Sequence, residues 1–111
     1  MMRSLRVLAV TTAAFVSLAA PAHAYFEAWY SNAVQVTASG TTVKTYDKRC
    51  DGQAAQANYY RGGSTTMYET TNNGGCNTVL QSQSLSTVIQ IRACMVVASQ
   101  PDPCGPWDYT G

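Results

Sequence analysis

Four cysteines in a short chain restrict the fold more than any other feature of this sequence. They stand at positions 50, 76, 94 and 104 of 111 residues, with spacings of 26, 18 and 10. Zinc sites favour closely spaced cysteine pairs, so these wide spacings indicate two disulfides rather than a metal site. Four cysteines allow three pairings. We favour Cys50–Cys76 with Cys94–Cys104, because neighbour pairing keeps both bridges local and threads no loop through another.

The amino terminus has the form of an export signal, which fits the oxidising compartment that disulfides require. Two arginines precede an uncharged, mostly apolar run over residues 7–20, and an Ala-His-Ala cleavage site ends at Ala24. The apolar run is too short to span a bilayer of about 30 Å as a helix. The sequence therefore predicts a signal peptide, residues 1–24, and a single secreted, extracellular domain, residues 25–111, with no membrane attachment after cleavage.

Charge and histidine content exclude several function classes for the domain that remains. The predicted domain has five cationic side chains and six carboxylates, which give a net charge of −1. It has no basic cluster of the kind that binds a nucleic acid. The leader also removes His23, the only histidine of the chain. Without histidine, a Ser-His-Asp or Cys-His nucleophile and a histidine metal site cannot be built. We therefore assign no catalytic residue, no metal ligand and no cofactor.

Short segments of alternating polarity, separated by turn residues, predict strands throughout the domain. These segments cover residues 34–37, 42–46, 55–60, 65–71, 78–82 and 87–98. In the last and longest one, the residues expected to face the core are Ile89, Ile91, Ala93, Met95 and Val97. Those expected to point the other way are Gln90, Arg92 and Cys94. No segment has sustained helical periodicity. The predicted fold is all-β, a small antiparallel β-sandwich or barrel stapled by two disulfides.

Several motifs resemble those of a set of small exported actinomycete β-proteins with two disulfides. The matching segments are TVKTYDKRCDG at 42–52, ANYYR at 57–61, IRAC at 91–94 and DPCGPW at 102–107. Together they extend over most of the predicted domain. The resemblance implies export and a β fold, and it assigns no functional residue.

The chain is also similar to the secreted α-amylase inhibitors of the tendamistat type, which are β-sandwiches with four cysteines paired along the chain. Their inhibitory turn carries Trp-Arg-Tyr, whereas this sequence reads Ala28-Trp29-Tyr30. The missing arginine is the group that such a turn would present to carboxylates in an enzyme cleft. This likeness implies a proteinaceous inhibitor of an extracellular hydrolase, as an alternative function.

The leading functional prediction is a non-enzymatic binding or surface-interaction protein whose partner is an extracellular protein or polysaccharide. Tyrosine and tryptophan offer large rigid faces with polar tips, which suit such partners. The candidate contact residues are Trp29, Tyr30, Tyr60, Trp107 and Tyr109. Each of them could instead fill a core that is short of aliphatic side chains. The sequence defines no oligomeric state.

A second alternative is a hydrolase that uses a pair of carboxylates, as glycoside hydrolases do. Glu27 and Glu69, with Asp47 or Asp51, supply the only material for such a pair. Asp51 stands between Cys50 and Gly52, and Asp47 stands shortly before this turn, so turn formation already accounts for them.

Overall fold

Seven β-strands, and no helix, make up the regular structure of residues 25–109, which are the residues that the computed structural model describes. The predicted signal peptide lies outside them. The strands are β1 (Tyr25–Tyr30), β2 (Val34–Ser39), β3 (Thr42–Asp47), β4 (Ala54–Arg61), β5 (Tyr68–Asn72), β6 (Thr78–Gln83) and β7 (Val88–Val96).

The strands form two antiparallel sheets. Sheet A has four strands in the order β1-β2-β3-β6, and sheet B has three in the order β5-β4-β7. The β1–β2, β2–β3 and β4–β5 pairs are consecutive hairpins, whereas the β3–β4, β5–β6 and β6–β7 connections pass from one sheet to the other. This arrangement confirms the predicted all-β fold and resolves it as a β-sandwich.

Alternation along the strands buries one face of each sheet in a shared core. On β4, Ala55, Ala57 and Tyr59 point inward, and Tyr59 stacks on Tyr68 of β5 with ring centroids 5.6 Å apart. The other buried apolar side chains are Phe26, Ala28, Ala33, Val34, Val36, Ala38, Val43, Val88, Ile91 and Ala93. Small and β-branched residues dominate this set, which allows the two sheets to approach closely.

The predicted inward orientation of Ile89 is wrong, because a β-bulge interrupts the alternation of β7. Tyr60 of β4 lies opposite Gln90, and the next residue, Arg61, lies opposite Val88, so Ile89 has no opposite residue. One extra residue reverses which side chains face inward. Val88 is therefore buried, and Ile89 is 47% exposed.

Both predicted disulfides are confirmed. Cys50–Cys76 joins the β3–β4 connection to the β5–β6 connection, with the two Cα atoms 4.8 Å apart. Cys94–Cys104 joins β7 to the chain that follows it, with a Cα distance of 4.0 Å. These two cysteines lie directly opposite each other and form no backbone hydrogen bond with one another. The flanking hydrogen bonds run from the amide of Met95 to the carbonyl of Pro103 and from the amide of Gly105 to the carbonyl of Ala93. Such a non-hydrogen-bonded pair is where opposite Cα atoms come closest.

Residues 103–108, which we call the C-terminal segment, close the side of the sandwich where β1 and β7 are neighbours. The segment pairs with β7, since Ile91 and Asp108 exchange both backbone hydrogen bonds. Its Gly105 packs directly on the backbone of Trp29, whose carbonyl carbon would lie 3.0 Å from any β-carbon there. Only a residue without a side chain fits at this position. The segment thus covers one edge of each sheet.

Candidate binding face on sheet A

The outward side of sheet A, which we call the Trp29 face, carries two aromatic side chains in one row across the strands. Trp29 of β1 lies opposite Gln35 of β2, Gln35 lies opposite Tyr46 of β3, and Tyr46 lies opposite Val79 of β6. Strands are spaced about 4.8 Å apart, so roughly 10 Å separates the backbones at Trp29 and Tyr46. Trp29 is 39% exposed, Val79 is exposed, and the other two are half-buried.

Alternation along β1 is the reason that Trp29 faces outward. Phe26 and Ala28 are buried in the core, which leaves Tyr25, Glu27 and Trp29 on the opposite side. A strand with this pattern presents two aromatic rings and a carboxylate to solvent.

The side chains around Trp29 are fixed by hydrogen bonds to a single carboxylate oxygen. Oε2 of Glu27 accepts a bond of 2.8 Å from Trp29 Nε1 and another of 2.8 Å from Gln35 Nε2. The backbone amide of Glu27 donates to Oδ2 of Asp108 in the C-terminal segment, also at 2.8 Å. The orientation of the indole ring is therefore set before any ligand arrives.

Lys48 lies against both aromatic rings of the row. Its Nζ is 5.1 Å from the ring centroid of Tyr46 and 5.9 Å from that of Trp29, within cation–π range. The backbone amide of Lys48 donates to the carbonyl of Ala33, which continues the β2–β3 pairing by one residue. The ammonium group is therefore within reach of both rings.

Two shallow depressions flank the row on the same side of the sheet. One, of about 260 Å³, is bordered by Tyr46, Lys48 and Val79 together with the start of β6. A smaller one, of about 90 Å³, is bordered by Tyr25, Lys44 and neighbouring residues of β2 and β3. The face is broad and open rather than a deep cleft.

The five aromatic residues predicted as contact groups do not lie together. Trp29 is on the face described above, whereas Tyr30 points to the other side of β1 and packs against the core. Tyr60 and Trp107 pack on each other on the outer side of sheet B, with ring centroids 5.3 Å apart. Tyr109 is 64% exposed and directly follows the residue that pairs with β7.

Tyr60 and Trp107 belong to a second, partly buried cluster that stabilises sheet B. The guanidinium of Arg92 lies 4.6 Å from the centroid of Trp107, and its Nε donates to Oδ1 of Asn58 at 2.8 Å. Asn58 is only 1% exposed, and its Nδ2 donates to Gln56 Oε1 at 3.0 Å. These aromatic side chains cover polar groups, so packing accounts for their presence.

Tyr46 is a member of the face that sequence reasoning missed. The alternation of Thr42, Lys44 and Tyr46 with Val43 and Thr45 was available as a signal, because it places the three polar residues on one side of β3. The pairing of β3 with β1 through β2 was not available, and only that pairing brings Tyr46 into the row with Trp29.

The acidic residues considered for a hydrolase lie apart. Glu27 is on the outer side of sheet A, and Glu69 is on β5 of sheet B, opposite Asn58. Oδ1 of Asp47 accepts from the amide of Arg49, and Oδ1 of Asp51 accepts from the amide of Gln53, so both aspartates close turns. Residues 25–109 contain no group of three or more potential metal-ligating side chains. Glu27 and Glu69 therefore do not form the carboxylate pair considered from the sequence.

No protein-family model, curated protein or solved structure was found to match the chain. The resemblances to exported actinomycete proteins and to tendamistat-type inhibitors therefore stay predictions from sequence motifs. Within the described part of the chain, no helix is long and apolar enough to cross a membrane.

Proposed function

We propose that this protein is a secreted, non-enzymatic binding protein and that the Trp29 face is its binding surface. The observation that carries the proposal is the row in which Trp29 and Tyr46 lie on one open sheet surface with Gln35 between them. The two disulfides are consistent with a location outside the cytoplasm.

The side chains of this face combine stacking area with directional polar groups. The rings of Trp29 and Tyr46 supply rigid apolar surface at low cost in conformational entropy. Gln35, with an amide that both donates and accepts, stands between them. A ligand across the row would therefore meet two aromatic contacts and a hydrogen-bonding group in a fixed order.

Preorganisation supports the same conclusion. The indole of Trp29 is held by Glu27, and the ring of Tyr46 is half-buried beside Lys48. Side chains that are already ordered lose less entropy on binding, which leaves more of the contact energy as affinity.

Alanine substitution of either aromatic residue is expected to weaken binding at least tenfold, about 1.4 kcal/mol. The domain is tested against immobilised extracellular polymers, namely neutral glycans, acidic glycans and secreted proteins. We expect the wild type to be retained by at least one of them, Trp29→Ala and Tyr46→Ala to lose most retention, and the melting temperature to change little.

The matched control is Tyr109→Ala, which removes a more exposed aromatic side chain that belongs to no strand of sheet A. It should retain wild-type binding. Equal losses in all three variants, or no retention of the wild type by any polymer, would refute the proposed face. Release of new chain ends from a bound polymer would refute the non-enzymatic function.

A further inference from the structure

Both lysines of the chain lie on the Trp29 face. Lys44 and Lys48 alternate with Tyr46 along β3 and its continuation, on the outward side of the sheet. Residues two apart on a strand are separated by roughly 7 Å, so a cationic side chain stands on either side of the Tyr46 ring.

The charge of this face is opposite in sign to that of the rest of the domain. The outward side chains of sheet A, with Lys48, include two lysines and one carboxylate, Glu27, whereas the other residues of 25–109 include three arginines and five carboxylates. One of those five, Asp108, accepts a hydrogen bond from the backbone amide of Glu27 at the edge of the face. The Oε2 atom of Glu27 already accepts two hydrogen bonds. The ammonium group of Lys44 has no hydrogen bond or ion pair with any residue in the described range. One ammonium group is thus left for a ligand anion.

We infer that the ligand of the Trp29 face is an acidic polysaccharide, a chain of sugar rings that carries carboxylate groups. This inference rests on the proposed function and adds the ligand class. The aromatic rings of Trp29 and Tyr46 accept the apolar faces of sugar rings. The amides of Gln35 and of Gln81, an exposed residue of β6 that lies opposite Lys44, bond to hydroxyl groups. Lys44 and Lys48 form charge-assisted hydrogen bonds with the carboxylates.

The composition of the face favours a glycan over a protein partner. The centres of protein interfaces are depleted of lysine and glutamate and form desolvated apolar pockets. Here lysine, glutamate and glutamine are interleaved with the two rings on an open surface. Such a mixture suits a ligand that is itself a mixture of apolar ring faces, hydroxyls and charges.

The inference is tested with galacturonan and with the same polymer after full methyl esterification, which removes its charge and keeps its sugar chain. The wild-type domain should bind galacturonan and lose at least about threefold in affinity for the ester, the effect of a single exposed charge pair. Binding should also weaken between about 0.1 M and about 1 M salt, because the Debye length falls from about 10 Å to about 3 Å.

Charge variants identify the lysines responsible. Lys44→Gln and Lys48→Gln should each lower galacturonan affinity at least about threefold, and Lys44→Arg, which keeps the charge, should not. The matched control is Arg61→Gln, which removes the same charge beside Tyr68 on sheet B and should change affinity less than about twofold. Unchanged melting temperatures establish that the variants are folded.

The outcomes separate the ligand class from the proposed function. Equal binding of galacturonan and its ester, with no effect of the lysine variants but a loss in Trp29→Ala, overturns the acidic ligand and leaves the binding face intact. Failure of the wild type to bind galacturonan, alginate and hyaluronan also overturns the acidic ligand. If Trp29-dependent binding to a neutral glycan or a protein is then observed, the proposed function stands.

Discussion

Replacement of Cys94 and Cys104 by alanine is expected to destabilise the domain at least as much as replacement of Cys50 and Cys76. Loop length alone predicts the reverse order. In the chain-entropy model, the 26-residue loop contributes about 3.5 kcal/mol and the 10-residue loop about 2.7 kcal/mol.

The reversal follows from what surrounds each bridge. Cys94 is completely buried, and its Sγ lies 3.1 Å from Oδ1 of Asn58, whereas Cys50 is exposed. Cys104 also anchors the C-terminal segment, which pairs with β7 and packs Gly105 on Trp29. Loss of the Cys94–Cys104 bridge therefore adds lost packing to lost chain restraint.

Urea denaturation of the two double variants measures this difference directly, with wild type as reference. A free energy of unfolding reduced by about 3 kcal/mol or more in Cys94→Ala/Cys104→Ala agrees with this account. A markedly larger loss in the Cys50→Ala/Cys76→Ala variant would show that the C-terminal segment contributes little to stability.

Asn58→Ala should lower the free energy of unfolding by about 2–4 kcal/mol, a large effect for one polar side chain. Asn58 Oδ1 is the acceptor for Arg92 Nε, and the guanidinium lies between Trp107 and the sulfur of Met67. In Asn58→Ala, Nε of Arg92 would lose its hydrogen-bond acceptor, and Oε1 of Gln56 would lose the hydrogen bond that it accepts from Asn58. A partly buried charge without a partner is costly.

The comparison for Asn58→Ala is Asn73→Ala, which removes an exposed asparagine from the β5–β6 connection. That change should stay within about 0.5 kcal/mol of wild type. Similar stabilities for the two variants in urea would mean that the buried polar cluster on sheet B does not contribute as its geometry indicates.

Local patterns were sufficient to predict the fold class and the disulfides. Alternating polarity correctly predicted a strand at each of β2 to β7. Neighbour pairing of the cysteines was correct because each bridge joins segments that a short path along the chain already brings together. Such features depend on period and sequence distance, which the sequence contains explicitly.

Features that depend on contacts between distant strands could not be predicted. The sequence did not predict β1 at residues 25–30. Apolar or aromatic residues occupy both odd and even positions there, so the segment lacks the alternation of polar and apolar residues that identified the other strands. The Ile89 bulge depends on the register with β4, and the row containing Trp29 and Tyr46 depends on β2 lying between β1 and β3. The binding face is therefore a property of the sheet rather than of any one segment.

The most direct test of the binding face uses the two tryptophans as separate reporters. Trp29 is on the Trp29 face and Trp107 is on the outer side of sheet B, and the chain has no other tryptophan. In Trp107→Phe, Trp29 is the sole indole fluorophore, and titration with galacturonan should produce a saturable change in its emission. In Trp29→Phe, the remaining Trp107 should give no change. A saturable change confined to Trp29→Phe would contradict the assignment of the binding site to sheet A, and no change in either variant would contradict galacturonan as a ligand of this face.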